Sequence, residues 1–296
     1  MGRQIDFLMA LRTHLNLLKN ALLLGRVNNL FIIFLTQYLA AWCLIQRDSE
    51  YQLILDYKFF LMVLSTLIIA ASGYYINDYH DIKMDLINKP DKVIVGKHIK
   101  RRHVMFAHMI FNGFGVLIGA WVSLWIGLVN AIAALILWWY SSVLKKMPFI
   151  GNLTVAFLTS ATLLMINLYY REQNMNIYIF SFFAFGINLI REIIKDIEDM
   201  KGDASFGSNS LPLVVGLRST KNILYMIIFI YCAVLIYFLI VLADSILIIY
   251  FSALFILFTH FVYRLWVADT KSQFSFLSKY AKWIILAGIL SMVLLR

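Results

Sequence analysis

The chain has 296 residues, 62% of them hydrophobic and only 14% charged, with 26 Lys and Arg against 16 Asp and Glu and a formal charge of +10. Soluble domains are roughly half apolar and a quarter charged. The composition therefore excludes an ordinary globular domain, a disordered chain and a disulfide scaffold, and predicts an all-α polytopic membrane protein.

In chain order, residues 3–24 come first. Phe7, Leu8, Leu11, Leu15, Leu18 and Leu22 form a helical stripe, interrupted by Arg12, Asn16, Lys19 and Asn20. This pattern predicts an amphipathic interfacial helix rather than a span. Nine apolar runs then follow, each long enough to cross a bilayer: 28–46, 58–76, 104–123, 126–143, 149–169, 175–194, 222–242, 245–263 and 281–295. Cys43 and Cys232 fall inside apolar runs without metal-ligand spacing and read as small core residues. With the N-terminus in the cytoplasm and sides alternating, 22 of the 26 basic residues lie on the cytoplasmic face. The positive-inside rule favours this orientation, so most of the +10 is topology and no nucleic-acid partner is predicted. The whole of 1–296 reads as one transmembrane domain in the cell membrane.

Two cytoplasmic segments, 77–103 and 191–221, hold most of the acids. The first opens with Asn77, Asp78, Asp81 and Asp85; the second carries Asp196, Asp199 and Asp203. Each triplet has i, i+3, i+7 spacing, which puts three carboxylates on one helix face. Like charges so placed repel, and a hard divalent cation, Mg²⁺ or Mn²⁺, would offset them. Mg²⁺ keeps part of its shell for substrate phosphates, so two such clusters suggest a diphosphate held between metals. The spacing of an EF-hand is absent. Their positions after even-numbered spans hint at two pseudo-repeats of four spans. Nearby cations include Lys92, Lys97, Lys100 and Arg101 after the first cluster, and Lys145 and Lys146 after the fourth span. The last two are placed to reach a diphosphate leaving group. Arg26, Asn28 and Asn29 begin the first span at the same level, where an amide can orient a metal-ligating Asp.

The run N-D-x-x-D-x-x-x-D at 77–85, the run D-x-x-D-x-x-x-D at 196–203 and the nine-span plan together resemble the UbiA superfamily of intramembrane prenyltransferases. Three further stretches are similar to its archaeal-type branch, which makes digeranylgeranylglyceryl phosphate: Ile87–Lys92, Leu144–Asn152 and Arg191–Asp203. The resemblance implies two helix bundles around a central cavity, with both Asp-rich motifs at its cytoplasmic mouth. It implies Mg²⁺-dependent transfer of a polyprenyl group, geranylgeranyl in that branch, from its diphosphate to a lipophilic acceptor such as a prenylglyceryl phosphate lipid.

On that reading Asp78, Asp81 and Asp85 hold one Mg²⁺ and Asp196, Asp199 and Asp203 a second. Asp78, Asp81, Lys145 and Tyr140 form the catalytic set, the lysine offsetting charge on leaving pyrophosphate and the tyrosine shielding an allylic cation. Tyr74, Tyr75 and Tyr79 are similarly placed. Asn28, Asn77, Lys97, Arg101, Lys146, Asn152, Arg191 and Lys195 are the expected substrate-binding residues. Lys92, Lys97, Lys100 and Arg101 are candidates for an acceptor phosphate. Three alternatives stay open: an aromatic prenyltransferase of quinone synthesis, a terpene cyclase, and an ion-coupled transporter. Against the last, the middles of the spans are nearly free of charge.

Overall fold

The computed structural model describes residues 12, 15–45, 55–242 and 245–295. Half of the predicted interfacial helix, 3–11 with 13 and 14, lies outside these residues. Its described part is a short helix, Leu15–Leu24, with Leu15, Leu18 and Leu22 exposed.

Nine helices among the described residues are long and apolar enough to cross a membrane. They are α1 (Val27–Leu44), α2 (Tyr57–Asn88), α3 (Arg101–Val122), α4 (Leu124–Ser142), α5 (Ile150–Tyr170), α6 (Met175–Ser205), α7 (Leu211–Leu242), α8 (Ser245–Val267) and α9 (Lys271–Leu290). Their large apolar side chains face outward in numbers that no water-soluble surface carries: Trp121 is 77% exposed, Leu124 81% and Phe229 74%.

The apolar runs locate every span but not every helix end. Helices α2 and α6 continue well past their apolar runs, because 77–88 and 191–205 are themselves helical. The expected loops 77–103 and 191–221 are thus loops only in part, and both acidic motifs ride on rigid helix. Helix α9 begins at Lys271, ten residues before its expected start at 281. A capping box fixes that point: Gln273 Oε1 accepts from the Thr270 backbone N–H, and the Thr270 side chain meets the third helical residue. Helix α7 starts at Leu211 rather than 222 and breaks at Gly216, whose φ of 80° only glycine adopts readily.

The chain divides into two compact units, and α1 and α2 contribute residues to both. The first comprises Met1–Ile33 and Leu61–Ser142. Here α3 and α4 are joined through the single extended residue Ser123 and pack closely. A Cβ on Gly127 would lie 2.7 Å from Ala120 Cα, so the crossing requires glycine. Buried Asn130 of α4 donates to Ser65 Oγ (2.9 Å) and to the Gly115 carbonyl (3.2 Å). Ser72, His108 and Asn112 close a hydrogen-bonded ring between α2 and α3. Ser72 Oγ donates to Asn112 Oδ1 (2.6 Å), Asn112 Nδ2 lies 3.2 Å from His108 Nε2, and His108 Nδ1 lies 2.7 Å from Ser72 Oγ. Each member is satisfied when His108 carries its proton on Nδ1. These contacts hold the helix that carries the first motif.

The second unit comprises Phe34–Phe60 and Val143–Arg296. Its core runs along one face of α6, with Ile190, Ile193, Ile194 and Ile197 against Leu224, Phe258, Phe261, Leu265 and Phe274. Asn174 caps α6, its Oδ1 accepting from the Asn176 and Ile177 N–H groups. Its amide also donates to the Leu44 carbonyl (2.6 Å). Tyr231 packs so tightly on Gly186 that a Cβ there would lie 2.5 Å from Tyr231 Cδ2.

Candidate active site

In the first unit, Asp78, Asp81 and Asp85 extend along the final turns of α2. Asp81 is buried at 3% exposure, Asn77 is buried, and Asp78 and Asp85 are half-buried. The residue that meets this motif is Arg26. Its Nη2 donates to Asp78 Oδ1 at 2.7 Å, and its guanidinium lies 4.9 Å from the centre of the Tyr74 ring. Arg26 sits in the turn before α1 with φ 51°. Burial alone would lower its pKa; the charge and hydrogen bond of Asp78 outweigh that, and the guanidinium is held above its ordinary value. Of the two amides expected at this level, Asn28 is exposed and Asn29 half-buried.

The segment after α2 folds back on the helix. Val93 and Val95 are buried, and Val95 packs in a cluster with Leu24, Tyr75 and Val104. Lys97 Nζ donates to the Pro90 carbonyl (2.8 Å), clasping the loop on itself. Arg101 stacks its guanidinium on Tyr79, 4.5 Å from the ring centre. Both remain exposed. Tyr140, near the end of α4, is half-buried.

In the second unit, Asp196, Asp199 and Asp203 line one face of α6. Asn152 on α5, itself buried, donates from Nδ2 to Asp196 Oδ2 at 2.8 Å. This is the orienting amide that the sequence reading sought at Asn28. Its position depends on a tight turn. Leu144–Lys146 lies against Gly151, where a Cβ would come 3.0 Å from the Leu144 carbonyl oxygen and 3.1 Å from Lys145 Cα. The Asn209 N–H donates to the Lys146 carbonyl (3.1 Å), tying the segment after α6 to the same turn. Lys145 is half-buried and Lys146 exposed on that turn.

One further acid belongs to this face. Glu192, four residues before Asp196, extends the stripe one turn deeper and is only 6% exposed. Its Oε1 accepts from Arg191 Nη1 at 2.6 Å, and Lys195 Nζ lies 3.5 Å from its Oε2. The i−4 spacing from Asp196 was the available sequence signal for it.

Among the described residues, no three His, Cys, Asp or Glu side chains converge into a complete metal cage. The donor set nonetheless fits Mg²⁺, which is bound through one or two carboxylates, waters and substrate phosphates rather than an all-protein cage. Both clusters offer hard carboxylate oxygens at helix-face spacing and no thiol or imidazole ligand in the motif stripe.

Comparison with known proteins places these motifs in context. Residues 34–286 match the model of the UbiA prenyltransferase family. A digeranylgeranylglyceryl phosphate synthase of Methanosphaera stadtmanae is 32% identical over 232 residues, covering 77% of this chain and 84% of that protein. One from Methanospirillum hungatei is 36% identical over 168 residues, covering 55% and 59%. A solved structure described as concerning digeranylgeranylglyceryl phosphate synthase in membranes superposes with TM-score 0.67 at 26% identity, over 94% of this chain and 99% of the other. A UbiA homologue from Archaeoglobus fulgidus, bound to GPP and Mg²⁺, has the same fold, with TM-score 0.66 at 18% identity over 93% and 99%.

Proposed function

The chain belongs to the UbiA prenyltransferase family, and we propose that it transfers a geranylgeranyl group from its diphosphate to the hydroxyl of a prenylglyceryl phosphate lipid, releasing pyrophosphate. The observation that carries this reading is the pair of carboxylate stripes, each with its own orienting partner, Arg26 on Asp78 and Asn152 on Asp196. The synthase names of the relatives from Methanosphaera and Methanospirillum support the acceptor.

Asp78, Asp81 and Asp85 bind one Mg²⁺ and Asp196, Asp199 and Asp203 another. When bound, Mg²⁺ neutralises the charge that develops on the departing pyrophosphate. Asn77 and the half-buried Lys145 donate to diphosphate oxygens and add to the same stabilisation. The allylic C–O bond breaks with its electron pair leaving on pyrophosphate. Aromatic faces, those of Tyr74 and Tyr140 among them, shield the carbocation from water. The acceptor hydroxyl oxygen forms the new ether bond, and its proton passes to the released pyrophosphate. The site opens to the cytoplasmic face, where the basic residues concentrate.

The test is product analysis. Purified protein in Mg²⁺ is given geranylgeranyl diphosphate with a prenylglyceryl phosphate or with hydroxybenzoate, and products are identified by mass spectrometry. The expected product is the doubly prenylated glyceryl phosphate. Prenylated hydroxybenzoate in its place would move the chain to the quinone branch, and an unconsumed donor would end the assignment.

A further inference from the structure

The proposed acceptor has a particular chemistry: its phosphate sits on the carbon next to the one bearing the reacting hydroxyl. A cationic group must therefore lie beside the reacting carbon, not on a distant loop. Lys97 and Arg101 are exposed and engaged with Pro90 and Tyr79. Arg191 and Lys195 are different. They stand at i and i+4 on α6, immediately beside the Glu192–Asp196–Asp199–Asp203 stripe, and their side chains are only 16% and 24% exposed.

Two cations share one buried carboxylate here. Glu192 takes Nη1 of Arg191 and stands near Lys195 Nζ. The Nε–H of Arg191 is buried and has no hydrogen-bond partner. Lys195 also lies within electrostatic reach of Asp196, but Asp196 is oriented by Asn152 and assigned to metal. With all three aspartates assigned to metal, the Arg191–Lys195 pair sets two cations against the single carboxylate of Glu192, and Arg191 keeps an unsatisfied donor. Both are costly unless an anion arrives. A guanidinium edge next to an ammonium suits phosphate oxygens.

We propose that Arg191 and Lys195, held in place by Glu192, form the binding site for the acceptor's phosphate. This rests on the reading of the acceptor as a glyceryl phosphate lipid. Arg191 and Lys195 bind the anion, and Glu192 is a positioning residue.

The experiment compares wild type with R191Q, K195Q, R191K and E192Q. Each is assayed with a prenylglyceryl phosphate and with the corresponding prenylglycerol, which lacks the phosphate. Wild type should prefer the phosphorylated acceptor. R191Q and K195Q should raise its KM roughly tenfold to a hundredfold while donor KM stays within about twofold, as for loss of a hydrogen bond to a charged group. The preference for phosphate should collapse with it, and R191K should keep part of it. E192Q should shift acceptor KM in the same sense. Equilibrium binding of the phosphorylated acceptor in Mg²⁺, without donor, should weaken in parallel. If R191Q does not fold, the more exposed Lys195 carries the same test through K195Q. Unchanged acceptor KM and preference in the variants, or a change confined to donor KM, would overturn the site. Equal use of both acceptors by wild type would overturn it and leave the proposed transfer standing. Use of neither acceptor would instead remove the proposed function, and the phosphate site with it.

Discussion

Arg26 Nη2 donates to Asp78 Oδ1 at 2.7 Å, joining the turn before α1 to the first acidic motif across 52 positions. A guanidinium therefore balances a carboxylate that the proposed chemistry assigns to a metal. The R26Q substitution should lower stability in EDTA by about 1 kcal/mol, a value kept small because the pair is partly solvated. Mg²⁺ should then stabilise R26Q more than wild type, since the cation replaces the missing positive charge. Thermal unfolding in detergent, with and without Mg²⁺, checks this; an identical Mg²⁺ response in both proteins would count against the link.

Asp81 is the most deeply buried acid of its motif. D81N removes a charge with little change of volume and should reduce prenyl transfer roughly a hundredfold or more. Chelation by EDTA should abolish turnover, and added Mg²⁺ should restore it. Steady-state assays of product formation decide both points, and a metal-independent rate would contradict the assignment of the carboxylates.

Asn152 reaches Asp196 from a different helix, through a 2.8 Å hydrogen bond. Losing a partner that orients a metal ligand commonly weakens metal binding about tenfold or more. N152A should therefore raise the Mg²⁺ concentration for half-maximal activity by that order, with a smaller effect on donor KM at saturating Mg²⁺. A titration of activity against Mg²⁺ measures it; an unmoved midpoint would show that Asp196 is oriented by other contacts.

Gly151 lets the Leu144–Lys146 turn pack on α5. The neighbours a Cβ would meet are backbone atoms, which yield less readily than side-chain ends. G151A should cost on the order of 1–3 kcal/mol and, by displacing Lys145, raise donor KM. Unfolding and donor titrations together test this. Full stability with altered donor KM would locate the effect in the turn alone, whereas wild-type values in both would show that the turn moves aside freely.

The apolar spans and both acidic stripes were legible because each depends on local periodicity. A run of about twenty apolar residues reports a span, and Asp78, Asp81 and Asp85 share a face on any helix they occupy. The ends of α2 and α6 were harder to place. Their polar final turns read as loops, yet the backbone stays hydrogen-bonded and helical past the apolar stretch. Glu192 was readable by the same spacing as the Asp residues but lay outside the motif that drew attention.

By itself, the amino-acid order determined the membrane class, the number of spans, the two carboxylate faces and, through its motifs, the family. Tertiary structure alone decided which partners those carboxylates have: Arg26 at Asp78 and Asn152 at Asp196. It also placed the exposed Lys97 on the Pro90 carbonyl and the half-buried Arg191 and Lys195 around Glu192. The reason is physical. Periodicity along one helix is a property of neighbours in the chain. A hydrogen bond between helices depends on packing that brings together residues dozens of positions apart, and no local pattern encodes it.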